Sequence, residues 1–223
     1  MQIPTKNLPI WTGLSPVRVG WSIQFLYFKE LFDRIHDVPG DVVECGLGWA
    51  DTFAMLATLA GREGGNRDIW GFDSFRGWPE PSSLDSSSFR KPQAGEWAVP
   101  RENFETRLDE TGVFARYPEL KSHIVPGFFD DTLVQFPADR QIAFLHLDCD
   151  LEPSYRVTLA ELFPRVSTRG IVCFDEYREF HTIEGTQQEK WPGATRAIGD
   201  YFVDRRETIQ YHPESGKYFV VKT

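Results

Sequence analysis

Positive charge is what this chain has too little of. Lys and Arg together number 24 against 33 Asp and Glu, for a formal net charge of −9. Nucleic acids and anionic membranes are held through basic faces, so neither is an expected partner. Cysteine is scarce as well. The three thiols, Cys45, Cys149 and Cys173, form an odd set whose spacing fits no zinc motif. Each falls in an apolar run, where a reduced cysteine acts as a small core residue. No run approaches the ~18 apolar residues of a membrane span, and Met1 to Gly20 lacks the apolar stretch of a secretory signal. The expectation is a soluble, cytoplasmic protein. Hydrophobic residues make up 41% and aromatic residues 14% of the 223, enough for one packed core. With no internal repeat in view, a single domain is expected over 1–223, as an arm and helix (1–37) followed by an α/β core (38–223).

A third glycine is also missing. Asp41-Val-Val-Glu-Cys-Gly-Leu-Gly-Trp-Ala-Asp-Thr-Phe53 reads as a buried strand, a glycine turn and the start of an apolar helix, the opening unit of a nucleotide-binding α/β domain. Gly46 and Gly48 let a ligand lie against bare backbone. A dinucleotide fingerprint would place glycine where Asp51 stands, and a carboxylate at a helix start opposes a pyrophosphate. Glu44 suits a ligand that carries an ammonium and a sulfonium instead. Glu44, Gly46, Leu47 and Gly48 are therefore candidate cofactor contacts. The second strand, Asp68 to Asp73, ends in a carboxylate at about the offset, on the order of 20 residues, where such folds place an acid on ribose hydroxyls. Ser74 follows it.

Further along, apolar residues repeat at helical spacing from Ser15-Pro16 to about His36. That helix either packs on the sheet, or forms with the preceding arm a lid over the ligand or a homo-oligomer contact. Residues 76–100 read as a long loop containing Trp78, Phe89 and Trp97, of a length that is usually functional or disordered. A helix follows over Arg101 to Thr111, and Ser122 to Phe129 is a third strand leading into a loop, where Gly127, Phe128 and Phe129 could stack on or frame an adenine, or one of the two phenylalanines could pack in the core. Ile142 to Asp150 is the fourth strand, Pro153 to Pro164 a crossover helix and Gly170 to Glu176 the fifth strand. A loop (177–191), a helix (193–205) and two antiparallel strands (208–212 and 217–221) complete a seven-stranded, mostly parallel, doubly wound sheet.

The fourth and fifth strands carry the chemistry. Residues two apart on a strand face the same side, which sends Asp148 and Asp150 out together. A parallel fifth strand brings Asp175 and Glu176 to the same carboxyl edge, where ligands of open α/β sheets bind. Four crowded carboxylates repel and take up protons unless a cation offsets them. An all-oxygen set suits magnesium, calcium or manganese rather than zinc. The competing reading is solvated acids on separate loops, with Asp150 capping the following helix. One mechanism uses every part: S-adenosylmethionine on Glu44 to Gly48, Asp73 and the Gly127 loop; a metal on Asp148, Asp175 and Glu176 that polarises an acceptor diol; and Asp150 as general base.

In order and spacing, Gly40-Asp-Val-Val-Glu-Cys-Gly46, Gly71-Phe-Asp-Ser-Phe75, His146-Leu-Asp-Cys-Asp150, Phe174-Asp-Glu-Tyr177 and Trp191-Pro-Gly-Ala-Thr-Arg-Ala197 resemble the macrocin O-methyltransferase (TylF-like) family, over roughly residues 38–205. The resemblance implies a Rossmann-like class I methyltransferase fold and dependence on S-adenosylmethionine and magnesium. It also implies a small-molecule acceptor, commonly a deoxysugar hydroxyl on a natural-product scaffold. Carried over by motif, Asp148 and Asp175 are metal ligands and Asp150 the base. Glu176 stands where the family has a second Asp. The alternatives are a catechol-like phenolic acceptor, a nucleotide-binding oxidoreductase, and a non-catalytic S-adenosylmethionine-binding protein.

Overall fold

Neighbouring residues on each central strand go to opposite sides of one sheet. Val42, Phe144 and Ile171 belong to one buried apolar cluster. Val43, Leu145 and Val172, one position along, belong to another. A strand buried on both faces has no polar alternation, which is why these segments read as continuous apolar runs. The computed structural model describes residues 19–87, 90–183 and 185–223.

The elements that build the sheet are β1 (Asp41–Cys45), β2 (Ile69–Asp73), β3 (Ser122–Pro126), β4 (Ile142–Leu147), β5 (Val166–Phe174), β8 (Gln210–His212) and β9 (Lys217–Val221). Their order is β3-β2-β1-β4-β5-β9-β8. β1 to β5 run parallel, and β9 is antiparallel to both β5 and β8. The order reverses at β1, between β2 and β4, and that reversal opens a crevice beyond the strand ends.

Helices α1 (Val19–Asp33), α2 (Asp51–Arg62), α3 (Arg101–Glu110) and α4 (Val113–Arg116) cover the face holding Val42. Helices α6 (Glu152–Leu162) and α7 (Pro192–Phe202) cover the other, with the short α5 (Phe129–Thr132) beside them. α1 buries Tyr27, Phe28, Leu31 and Phe32 along one stripe, and Phe28 and Phe32 meet Phe144 of β4 at 6.0 and 4.7 Å between ring centroids. Of the readings of this helix, its described part packs on the sheet. Its expected start at Ser15-Pro16 and the arm before it lie outside the described residues.

Three expectations need correction. The segment 177–191, expected as a loop, contains a hairpin, β6 (Phe180–Ile183) and β7 (Thr186–Glu189). Its polar, non-apolar run hid it. The fourth strand stops at Leu147, not Asp150. The last residue of the fifth is Phe174, so Asp175 and Glu176 lie past its end. Among the described residues no helix is long and apolar enough to cross a membrane, and all three cysteines are buried free thiols.

Candidate active site

Parallel pairing of β4 with β5 sets Leu147 beside Phe174, so the chain leaves both strands at one level. Two ladder bonds continue past the ends: the Asp148 amide donates to Cys45 O at 2.9 Å and the Asp175 amide to Leu147 O at 3.0 Å. The acids that follow are thus rooted in backbone held by the sheet. Asp148 and Asp150 do converge, but not by strand alternation. After Asp148 the chain turns sharply, with the Leu151 amide on Cys149 O at 2.6 Å and Asp150 in the left-handed region at φ 57°. Aspartate tolerates that region better than most residues.

Asp148, Asp150 and Glu176 each offer one oxygen, and these three oxygens lie within 4.8 Å of one another. Burial, then the neighbouring carboxylates, pushes the Asp148 carboxyl up to about 8. Burial raises Asp150 to about 6, against the pull of the Trp78 indole, Lys190 and Arg90. Glu176 is raised well above its ordinary range by burial and by Asp148, Asp150 and Asp175. It accepts the Cys149 amide at 3.3 Å and contacts the Tyr155 hydroxyl, which donates to Leu147 O at 2.8 Å. Three carboxyls raised first by burial and then by nearby carboxylates form a donor set that a hard divalent cation fits.

Asp175 stands apart from that trio. Burial raises its carboxyl, but Lys217 and His146 reverse the shift and hold it below the ordinary range. Lys217 Nζ lies 2.9 Å from Asp175 Oδ2 and also donates to Asp175 O at 2.9 Å. Behind it, His146 Nε2 is 4.0 Å from Asp175 Oδ1, and His146 Nδ1 is 2.9 Å from Glu44 Oε1. Glu44 and His146 are partners across β1 and β4, and both are buried. A line of alternating charge therefore runs beneath the acids, from Glu44 through His146 and Asp175 to Lys217.

The acids open into a cavity of about 330 Å³. At one end it is lined by Gly46, Gly48, Asp73 and Ser74, from the turns after β1 and β2, and by Gly127, Phe128 and Phe129 after β3. Asp73 accepts the Leu47 amide at 2.8 Å and the Phe75 amide at 2.7 Å, one on each carboxylate oxygen. A carboxylate has about four acceptor positions, so it retains capacity for a ligand diol. At the other end the walls are Trp78 and Trp97 from the 76–100 loop, with Lys190 and Trp191 ahead of α7.

Two sequence-proposed contacts do not line this cavity. Glu44 Oε1 is bonded to His146 while its Oε2 is buried without a hydrogen-bond partner, and Leu47 is buried with its amide spent on Asp73. In the segment 177–191, Lys190 lines the cavity and bonds Glu179 at 3.2 Å. His181 is exposed and turned onto Glu179 at 3.0 Å, and Glu184 lies outside the described residues. Trp78 and Trp97 of the 76–100 loop line the cavity, as that loop's tryptophans suggested, and Trp191, from far along the chain, joins them.

Residues 27–190 match the family model of macrocin O-methyltransferase (TylF). The chain is 34% identical over 177 residues to the "8-demethyl-8-(2,3-dimethoxy-alpha-L-rhamnosyl)-tetracenomycin-C 4'-O-methyltransferase" of Streptomyces olivaceus, covering 75% of this chain and 64% of that protein. It is 34% identical over 149 residues to the demethyldecarbamoylnovobiocin O-methyltransferase of Streptomyces niveus, covering 64% of this chain and 54% of that one. The match thus spans little more than half to under two thirds of these relatives. The O-methyltransferase NovP superposes with a TM-score of 0.72 at 23% identity, over 90% of this chain and 80% of its own. A calicheamicin methyltransferase does so with a TM-score of 0.75 at 22% identity, over 93% and 87%. At such identity these two speak to the fold, a class I methyltransferase fold. The family model spans β1 through the hairpin and so takes in both ends of the cavity; the chain belongs to the macrocin O-methyltransferase family.

Proposed function

We propose that this chain transfers the methyl group of S-adenosylmethionine to a hydroxyl of a sugar or other vicinal diol on a natural-product-type small molecule. The observation that carries it is one cavity with chemically distinct ends: a glycine-lined end with a strand-end Asp, and an acidic end with three carboxyls within 4.8 Å. In this reading Asp73 accepts the ribose hydroxyls, Gly46 and Gly48 give the donor bare backbone, and Phe128 and Phe129 frame the adenine. Asp148 and Glu176 would hold a divalent ion such as magnesium, with Asp175, whose Oδ2 is on Lys217, offering its other oxygen from the same edge; the ion when bound supplies Lewis-acid polarisation of the acceptor oxygens. Asp150 takes the hydroxyl proton. The acceptor oxygen then forms its bond to the methyl carbon as the carbon–sulfur bond breaks and the electron pair leaves on sulfur.

The tetracenomycin relative is named for a rhamnosyl 4'-hydroxyl, and a mycinamicin relative of Micromonospora griseorubida for a 3''-hydroxyl. Both support a glycoside acceptor here. The tryptophan wall suits the apolar face of a sugar ring as well as an aryl ring. The test is transfer of labelled methyl to a panel of glycosides and phenols, with magnesium and with EDTA. Asp150→Asn is expected to bind S-adenosylmethionine and divalent ion as before and to lose at least about 100-fold in turnover, the usual scale for removing a general base. Normal turnover, or loss of ion affinity in its place, would reassign Asp150.

A further inference from the structure

The acidic trio includes one member that the sheet does not hold. Asp148 is rooted by the ladder bond to Cys45, and Glu176 by the Cys149 amide and Tyr155. Asp150 sits at the tip of the turn, at φ 57°. Among the described residues, the side-chain hydrogen bond it makes comes from the 76–100 loop: the Trp78 indole N–H donates to Asp150 Oδ2 at 2.8 Å.

Trp78 is itself firmly seated. It is 7% exposed. Trp191 meets it edge-on at 5.6 Å and 90°, and the Arg90 guanidinium lies 4.8 Å from the centroids of both rings. The Trp78 backbone is clamped on both sides, its amide on Glu96 O and its carbonyl under the Gly95 amide, each at 3.0 Å. A second tether from the same loop reaches the chain two residues past Asp150, where buried Asp85 Oδ1 accepts the Glu152 amide at 2.7 Å.

We propose that Trp78 is a positioning residue for the transfer: by holding Oδ2, its N–H fixes the rotamer of Asp150 and leaves Oδ1 as the oxygen that meets the acceptor. The kinetic part of this inference rests on the proposed methyl transfer; the structural part does not. A carboxylate on a tight turn with no donor would sample several rotamers, and misplacing a base by about 1 Å can cost on the order of 100-fold in rate.

The test has two arms on the full chain. In the first, the seven tryptophan indole N–H signals are recorded by proton–nitrogen correlation NMR, with the Trp78 signal assigned by its loss in Trp78→Phe. Asp150→Ala, which removes the acceptor, should move that signal towards the free-indole position and speed its exchange with solvent. An unmoved Trp78 signal overturns the proposal whether or not the protein is a methyltransferase. In the second arm, Trp78→Phe keeps the ring and deletes the donor. Turnover should fall about 10- to 100-fold, the scale of one hydrogen bond to a charged group, with KM for S-adenosylmethionine within about 3-fold. A change in KM alone, or unchanged kcat, overturns it. Absence of methyl transfer in the parent protein condemns the functional reading, and the NMR arm still decides the role of Trp78.

Discussion

The two glycines of the first turn are interchangeable in a motif and are not interchangeable in the fold. At Gly46 (φ +88°) an added Cβ would lie 1.8 Å from Asp148 O, a backbone atom. At Gly48 (φ +45°) it would meet nothing within 4 Å. Gly46→Ala must therefore push the end of β1 and the root of Asp148 apart by more than 1 Å, to reach the ~3.4 Å of ordinary contact. It also places a side chain in a left-handed conformation, at ~1–2 kcal/mol. Overpacking against backbone adds ~1–3 kcal/mol, for a total of about 2–5 kcal/mol. Gly48→Ala carries only the conformational cost, about 1–2 kcal/mol. With a urea slope of about 2–3 kcal/mol per M for a chain of this size, Gly46→Ala should lower the unfolding midpoint by about 1 M or more, and Gly48→Ala by about half that. Because the displaced atom belongs to Asp148, Gly46→Ala should also weaken manganese binding by calorimetry, at least about 10-fold, while Gly48→Ala leaves it unchanged. Equal midpoints for the two variants, or intact ion affinity in Gly46→Ala, would refute the claim that this glycine serves the approach of β1 to β4.

Two other outcomes test the site. The Asp148 and Asp150 carboxyls are raised to about 8 and about 6 in the fold, above the unfolded value near 4. Raised carboxyls contribute stability that is present below about pH 4 and lost as pH rises through the folded values, since the folded state then holds the extra protons. Thermal melts without divalent ion should therefore show falling stability between about pH 4 and 8 from these groups, and magnesium should raise the melting temperature more at pH 8 than at pH 5; a gain independent of pH would contradict the coupling. Asp73→Ala removes the acceptor for two amides and for the proposed ribose diol, and should weaken S-adenosylmethionine binding at least about 10-fold by calorimetry, an unchanged affinity counting against the donor end as assigned.

Much of the fold was legible because its core strands are buried on both faces. Val42-Val43, Phe144-Leu145 and Ile171-Val172 show as apolar runs, and the intervening helices force parallel pairing. From that, the parallel sheet and its carboxyl edge follow, while the strand order comes from the structure. Asp73, Gly46 and the acids at 148, 150, 175 and 176 could be placed at the edge for the same reason. What sequence could not supply was the partner of each group. Glu44 looks available until β4 sets His146 beside it, and Asp175 looks like a fourth member of the acid cluster until β9 delivers Lys217. Both partners come from strands paired only in three dimensions. Trp191 escaped for a related reason: an aromatic residue ahead of a helix has no periodicity to report which way it faces.

The support around the acids differs between the sheet side and the loop side of the cavity. Asp148, Asp175 and Glu176 are fixed by ladder bonds, a buried tyrosine and a lysine on β9, all belonging to the sheet and its flanking helix. The end proposed for the acceptor is built mostly from loop and turn: the 76–100 loop with its one short 3-10 helix (Ser83–Asp85), the turn at Asp150 and the residues ahead of α7. Trp97 lies there 70% exposed and at φ +60°. Leaving a large ring in water and a bulky residue in the left-handed region are each unfavourable, and a fold tolerates both together where a ligand covers the ring. Exchange of loop residues at this end would then change which hydroxyl reaches Asp150 without disturbing the ion site. Acceptor choice and metal affinity are therefore separable by substitution, and a Trp97→Ala variant that altered ion binding as strongly as acceptor KM would show that the two ends are not independent.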